Sequence, residues 1–119
     1  MPIIYHIATA GDWYQAVKEG EYTTSTVGRT LAEEGFLHAS SASQVNGVAN
    51  AYFQGTDSEL LLLVIDTTRL AAPLRYDDVP GSDEPFPHIY GPLNPDAVLR
   101  AMPLRAGPDG TYAIDPPVS

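Results

Sequence analysis

Leu60-Leu61-Leu62-Leu63-Val64-Ile65-Asp66 is the stretch that decides the fold of this 119-residue chain. Six consecutive apolar residues leave no side for solvent, so the segment reads as a strand in the middle of a sheet covered on both faces. Upstream, Ser41-Ala42-Ser43-Gln44 has the form of a reciprocal helix cap. The helix it opens carries Val45, Val48, Ala49, Tyr52 and Phe53 at spacings of three and four and stops at Gly55, with Tyr52 expected to pack inward. Phe36 to Ser40 is extended, and Leu31 to Gly35 is one helical turn closed by glycine. Glu21 to Thr26 is rich in Thr and Tyr and prone to strand.

At the amino-terminal end, Ile3-Ile4-Tyr5-His6-Ile7 is β-branched and aromatic and reads as a buried strand. Thr9 caps the next helix, whose Trp13, Ala16 and Val17 form an apolar stripe ending at Gly20. Downstream of Asp66 eight of the eleven prolines fall between Pro73 and Pro108, which excludes long helices there. Short strands are expected at 74–76, 87–90, 99–104 and 111–114. Asn94-Pro95 opens a helical turn, and the tail from Asp115 is expected to fray. The expected whole is one α+β domain over residues 1–119, with two main helices packed on its sheet.

Fifteen acidic residues against six cations give a net charge of −9, and the cations at Lys18, Arg29, Arg69, Arg75, Arg100 and Arg105 stand singly. Nucleic acid and anionic membrane surfaces, which both select clustered cations, are therefore not the expected partners. A small-molecule ligand suits this charge better. The longest apolar run is too short to cross a bilayer, and the opening residues lack a basic segment followed by a long apolar one, so a cytoplasmic location is expected. The absence of cysteine removes disulfides, thiolate metal sites and cysteine nucleophiles.

Chemistry then falls to His6, His38 and His88, each in an expected strand beside an aromatic residue. Strand alternation places Phe36, His38 and Ser40 on one face, and Phe86, His88 and Tyr90 on one face. Each segment thus aims an imidazole and a hydroxyl the same way, as a site orienting a polar ligand requires. Histidine titrates near neutrality, which suits His38 or His88 to general acid or base work, with Ser40 and Tyr90 orienting the ligand. Asp77 is placed to face a cleft, and Arg29 is a candidate anion contact. Three readings stay open for the histidines: catalytic groups, neutral core residues, or ligands of a divalent metal in a hydrolase. The last lacks the tight spacing of zinc motifs.

Tyr5-His6-Ile7 with Trp13, then Glu34-Gly35-Phe36-Leu37-His38-Ala39-Ser40 with Gln44, then Phe86-Pro87-His88-Ile89-Tyr90-Gly91-Pro92-Leu93 with Ala97-Val98, resemble a bacterial family known as domain of unknown function 952. The resemblance spans about residues 3–104. It implies a compact ADP-ribosyltransferase-like fold, a split mixed β-sheet whose cleft binds NAD. Within Tyr5-His6-Ile7-Ala8-Thr9, His6 would be the histidine that contacts the nicotinamide ribose, and Thr9 lies near the same ligand. His38 stands where a tyrosine is usual under the nicotinamide, while His88 and Tyr90 stand where many such transferases carry a glutamate. A neutral imidazole cannot supply that glutamate's negative charge, so protein ADP-ribosylation is not the implied reaction. The implied function is an enzyme of ADP-ribosyl-fold type acting on a nucleotide or another small polar metabolite. The alternative is a ligand- or partner-binding module that kept the fold without catalysis.

Overall fold

The computed structural model describes residues 3–26 and 28–117. Strand β1 (Ile3–Thr9) leads into helix α1 (Ala10–Glu19), followed by strands β2 (Thr24–Thr26) and β3 (Arg29–Thr30), helix α2 (Leu31–Glu34), strand β4 (Leu37–His38) and helix α3 (Val45–Tyr52). Strand β5 (Leu60–Asp66) comes next, then β6 (Leu74–Asp77), β7 (Phe86–Ile89) and β8 (Val98–Leu104), with 3-10 turns at Thr67–Arg69 and Pro95–Ala97. β5 lies between β1 and β8, antiparallel to both, and all seven of its residues are buried. Alternation along it sends Leu61, Leu63 and Ile65 into one core with Trp13, Tyr22, Leu37 and Ile89, and Leu60, Leu62 and Val64 into another with Val45, Ala49, Phe53 and Tyr112. Helix α1 covers the first face and α3 the second, as the apolar run of β5 demanded.

A second sheet, in the order β4-β7-β6, is also antiparallel, and β2 pairs with β3 as a small ribbon. The α+β class is as expected, but these pairings are all antiparallel where a mixed sheet was expected. Among the described residues one backbone bridge joins the two larger sheets. Beyond β4, Ser40 leaves β7 and pairs with Tyr5 of β1, each N–H reaching the other's carbonyl at 2.8 Å. Residues 38–40 are thus the seam of the fold.

Several local expectations change. Helix α3 begins at Val45: Gln44 Oε1 accepts from the Ser41 N–H at 3.0 Å, but the Ser41 hydroxyl turns to Ser43, so only half the cap forms. The reciprocal cap is instead on α2, between Thr30 and Glu33. Val17 lies off the buried stripe of α1, which runs Ala10, Trp13, Ala16. Tyr52 is 76% exposed, because the inward face of α3 runs Val45, Ala49, Phe53 and places Tyr52 to one side. Asn94 precedes its turn but bonds the Ala71 N–H at 2.9 Å and does not cap the turn.

Residues 111–114 are not a strand. Asn50 holds both the N–H and the carbonyl of Tyr112, at 2.8 and 2.9 Å, and Asn46 takes the Ile114 N–H at 3.0 Å. Side-chain amides on α3 satisfy this backbone, so it needs no strand partner. Of the tail expected to fray, Pro117 accepts a hydrogen bond from the Tyr5 hydroxyl, while residues 118–119 lie outside the described residues.

Two substitutions test this packing. Leu63→Ala, at a fully buried position in β5, should cost about 2–5 kcal/mol in denaturant unfolding. Gly91→Ala should cost about 1–3 kcal/mol, because a Cβ there would stand 2.7 Å from the Ala72 Cβ; an unchanged midpoint in either variant contradicts the arrangement.

Candidate functional site

Gly35 ends α2 in the left-handed region, with φ of 86°, and so turns the chain directly into β4. In the β4–β7 ladder Leu37 faces Ile89 and His38 faces His88. Leu37 and Ile89 enter the core, which leaves the two imidazoles side by side on the other face. Their ring centroids are 5.3 Å apart at 83°, and Phe36 braces both, stacked on His88 at 4.1 Å and edge-on to His38 at 4.9 Å.

Each imidazole is backed by a carboxylate. His88 Nδ1 lies 2.8 Å from Asp77 Oδ2, which also accepts the Tyr90 hydroxyl at 2.5 Å. His38 Nε2 lies 3.0 Å from Glu34 Oε1, and Arg29 stands 3.5 Å from the other oxygen of Glu34. The Tyr90 hydrogen bond, then that of His88, hold the Asp77 carboxyl below its ordinary range. The His38 hydrogen bond, then the Arg29 charge, do the same for Glu34. Both therefore stay ionised at neutral pH and act as acceptors that orient the rings. His38 is about half exposed, with 44% of its side chain accessible, whereas His88 keeps only 5%.

The two rings line a cavity of about 280 Å3, walled mainly by Ile7, Val48, Tyr52, Phe53, Val79 and Phe86, with Ser40 and Thr26 adding hydroxyls. Asp77 and Glu34 bind one nitrogen of each ring, leaving His88 Nε2 and His38 Nδ1 without a partner among the described residues; the Ser40 hydroxyl is likewise unbonded. Since no enclosed polar side-chain atom lacks a partner there, these atoms have space in front of them. An imidazole oriented through one nitrogen by a carboxylate, with the other facing a cavity, is the arrangement of a general base. Two together can take a proton and return one.

His6 also borders the cavity, but both its ring nitrogens are engaged inside the protein. Nδ1 reaches the His38 carbonyl, which can only accept, so Nδ1 carries the hydrogen. Nε2 then accepts from the Tyr22 hydroxyl at 2.9 Å. Burial first of all lowers the His6 pKa to about 4, and burial raises that of Tyr22. His6 is a neutral pin across the seam, in place of the expected ribose contact. Four other expected contacts are also placed elsewhere: the Thr9 hydroxyl accepts from Asp12 N to cap α1, Arg29 is directed to Glu34, Asp77 stands behind His88 and Tyr90 behind Asp77, none of them lining the cavity. The sequence reading missed Glu34 as a partner, and passed over the cavity walls at Val48, Val79 and Phe86. Glu34 stands four residues before His38, but Gly35 breaks the helix between them, so helical spacing gave no cue.

The three histidines do not assemble as metal ligands, since both nitrogens of His6 are engaged. Among the described residues no cluster of three or more His, Asp or Glu is arranged to hold an ion. No helix among them is long and apolar enough to cross a membrane.

Two measurements check the histidine assignments. At pH 8, long-range nitrogen–proton correlations should show the Nδ1–H tautomer for His6 and His88 and the Nε2–H tautomer for His38. His6 should also make folding stability acid-sensitive: neutral in the folded state down to about pH 4, it binds its proton in the unfolded chain from about pH 6.5. Its contribution is complete above pH 6.5 and falls as pH drops towards 4, by on the order of 3 kcal/mol, above the range in which the low-pKa carboxylates titrate. A flat unfolding midpoint across that window contradicts the buried neutral ring.

No curated protein matches the chain. The crystal structure of CC0527 from Caulobacter crescentus is similar to it, at 29% identity over 94% of both chains with a TM-score of 0.81. So is the solution NMR structure of CC0527, at 30% identity over 94% of this chain and 92% of that one, with a TM-score of 0.76. Residues 7–101, which carry both carboxylate-backed histidines and most of the cavity wall, match the family described as Protein of unknown function (DUF952), and the chain belongs to that family.

Proposed function

We propose that the chain is a small acid–base enzyme of ADP-ribosyl-fold type, acting on a nucleotide of the NAD kind or another small polar metabolite held against His38 and His88. One observation carries this reading: two carboxylate-oriented imidazoles stand 5.3 Å apart, each with a nitrogen free at the wall of one cavity. In the reaction His88, held through Nδ1 by Asp77, takes a proton at Nε2, and His38, held through Nε2 by Glu34, gives or takes one at Nδ1. Ser40 donates a hydrogen bond to the bound molecule, and Tyr90 and Arg29 act from behind by steadying the two carboxylates. The division of the strands into two sheets bridged at Ser40 supports the fold analogy, and a cleft where two sheets part is where a small ligand is expected. Among the described residues no carboxylate lines the cavity, which speaks against a transfer that needs a glutamate beside the ribose.

A binding module without catalysis is the second reading, favoured by the mainly apolar character of the cavity wall. Nuclear magnetic resonance separates the two. Adding NAD should move the ring signals of His38 and His88 and the amide of Ser40, and the spectrum should then record its conversion. The folded His38→Ala/His88→Ala double variant should lose that conversion. Binding at the same residues with NAD intact supports the module. Shifts spread evenly, or confined to the far side of β5, overturn the cleft assignment. Should the alanine variant unfold, His38→Asn/His88→Asn keeps the volume and repeats the test.

A further inference from the structure

Three polar atoms at the cavity wall have no partner among the described residues. His88 and Ser40 are both more than nine-tenths buried, yet His88 Nε2 and the Ser40 hydroxyl bond nothing, and neither does His38 Nδ1. Nor do the three bond one another, so there is room for a polar atom of a bound molecule between them. Two other polar groups on the wall are already engaged, Tyr5 by the Pro117 carbonyl and His6 by Tyr22 and the His38 carbonyl. A buried polar group left unpaired costs more than a hydrogen bond contributes, which makes the open three the place for a ligand's polar head.

The carboxylates behind the rings decide which head fits. Asp77 and Glu34 are ionised and only accept, so each neutral ring carries its hydrogen on the nitrogen facing its carboxylate, Nδ1 of His88 and Nε2 of His38. The nitrogens turned to the cavity therefore present lone pairs, and Ser40 is the donor beside them. A hydroxyl matches this set, since it gives its hydrogen to an imidazole and receives one from Ser40. A carbonyl oxygen answers Ser40 alone and sets its lone pairs against those of the rings. The remaining wall is apolar: Ile7 from β1, Val48 and Phe53 from α3 and its end, and Val79 and Phe86 leading into β7. At the packing density of a protein interior, a cavity of about 280 Å3 holds on the order of ten non-hydrogen atoms.

Resting on the acid–base reading of the two histidines, we propose that the ligand of this cavity is an amphipathic alcohol. Its single hydroxyl stands between His88 Nε2, His38 Nδ1 and Ser40, and an aliphatic body of about six to ten carbons lies against Val48, Phe53 and Phe86. The hydroxyl supplies selection and the body supplies affinity, through the apolar area it removes from water.

Octan-2-ol, octan-2-one and glycerol test head and body separately: the ketone keeps the body without a donor, and glycerol keeps donors without the body. Each is titrated into the full chain at pH 8 and followed by the ring signals of His38 and His88 and the amide of Ser40. Octan-2-ol should bind about fivefold more tightly than octan-2-one, and over tenfold more tightly than glycerol. In Asp77→Asn the side-chain amide donates to His88 Nδ1, which should move the ring hydrogen to Nε2 and close the gap between alcohol and ketone. A gap that stays open in that variant overturns selection by the ring nitrogens. Equal binding of alcohol and ketone at the two histidines of the parent overturns the choice of head, and glycerol binding as tightly as octan-2-ol overturns the apolar body; in both cases the acid–base site stands. If octan-2-ol at millimolar concentration moves neither ring while NAD does, the alcohol is not the ligand and the acid–base reading stands. If neither compound moves them, both readings fall.

Discussion

The structure depends on the seam at residues 38–40, where the chain leaves one sheet and joins the other. Two backbone hydrogen bonds between Tyr5 and Ser40 make the junction, and the His6 ring reinforces it by holding the His38 carbonyl. The carbonyl would otherwise be a buried acceptor without a partner, which costs more than an ordinary hydrogen bond contributes. An imidazole serves here because it can donate from one nitrogen and accept from the other, and the Tyr22 hydroxyl completes the pair. His6 therefore sits at the site without belonging to its chemistry, and it fixes the backbone on which His38 is mounted.

From that seam the site follows by register. β4 and β7 pair so that His38 meets His88, and β6 pairs so that Arg75 faces His88 and places Asp77 two residues along on the same side. In an antiparallel sheet such direct and diagonal neighbours lie within side-chain reach. A slip of one residue in either ladder would turn the imidazoles into the core and bring Leu37 and Ile89 to the cavity. Burial of those two apolar side chains in the core beneath the sheet opposes that slip. The same apolar contacts that stabilise the sheet thus fix the placing of the two imidazoles.

The two carboxylates set the state of the two rings. Close to the rings, Glu34 and Asp77 accept hydrogen bonds and choose which nitrogen of each histidine is free. Each also has an arginine acting on it, Arg29 at 3.5 Å from Glu34 and Arg75 on Asp77. Arg75 lies over the Tyr90 ring as well, 5.1 Å from its centroid.

By itself the sequence determined the elements whose cause is local. Six apolar residues before Asp66 required a central strand, Thr9 and Gly20 bounded α1, and alternation put Phe36 with His38 and Phe86 with His88 and Tyr90. It also reached the family through three separated motifs. What depended on residues far apart in the chain was decided only by the tertiary structure. His6 became a pin because Tyr22 and the His38 carbonyl arrived on either side of it, and Thr111 to Ile114 became a strap because Asn46 and Asn50 were there to bind its backbone. Glu34 became the partner of His38 across a glycine turn that no periodicity describes, and Tyr52 turned outward to the cavity because Val45, Ala49 and Phe53 already filled the inward face of α3. Hydrogen-bond partners and cavity walls are set by which segments meet, and that is a matter of register and packing which one strand's composition does not encode.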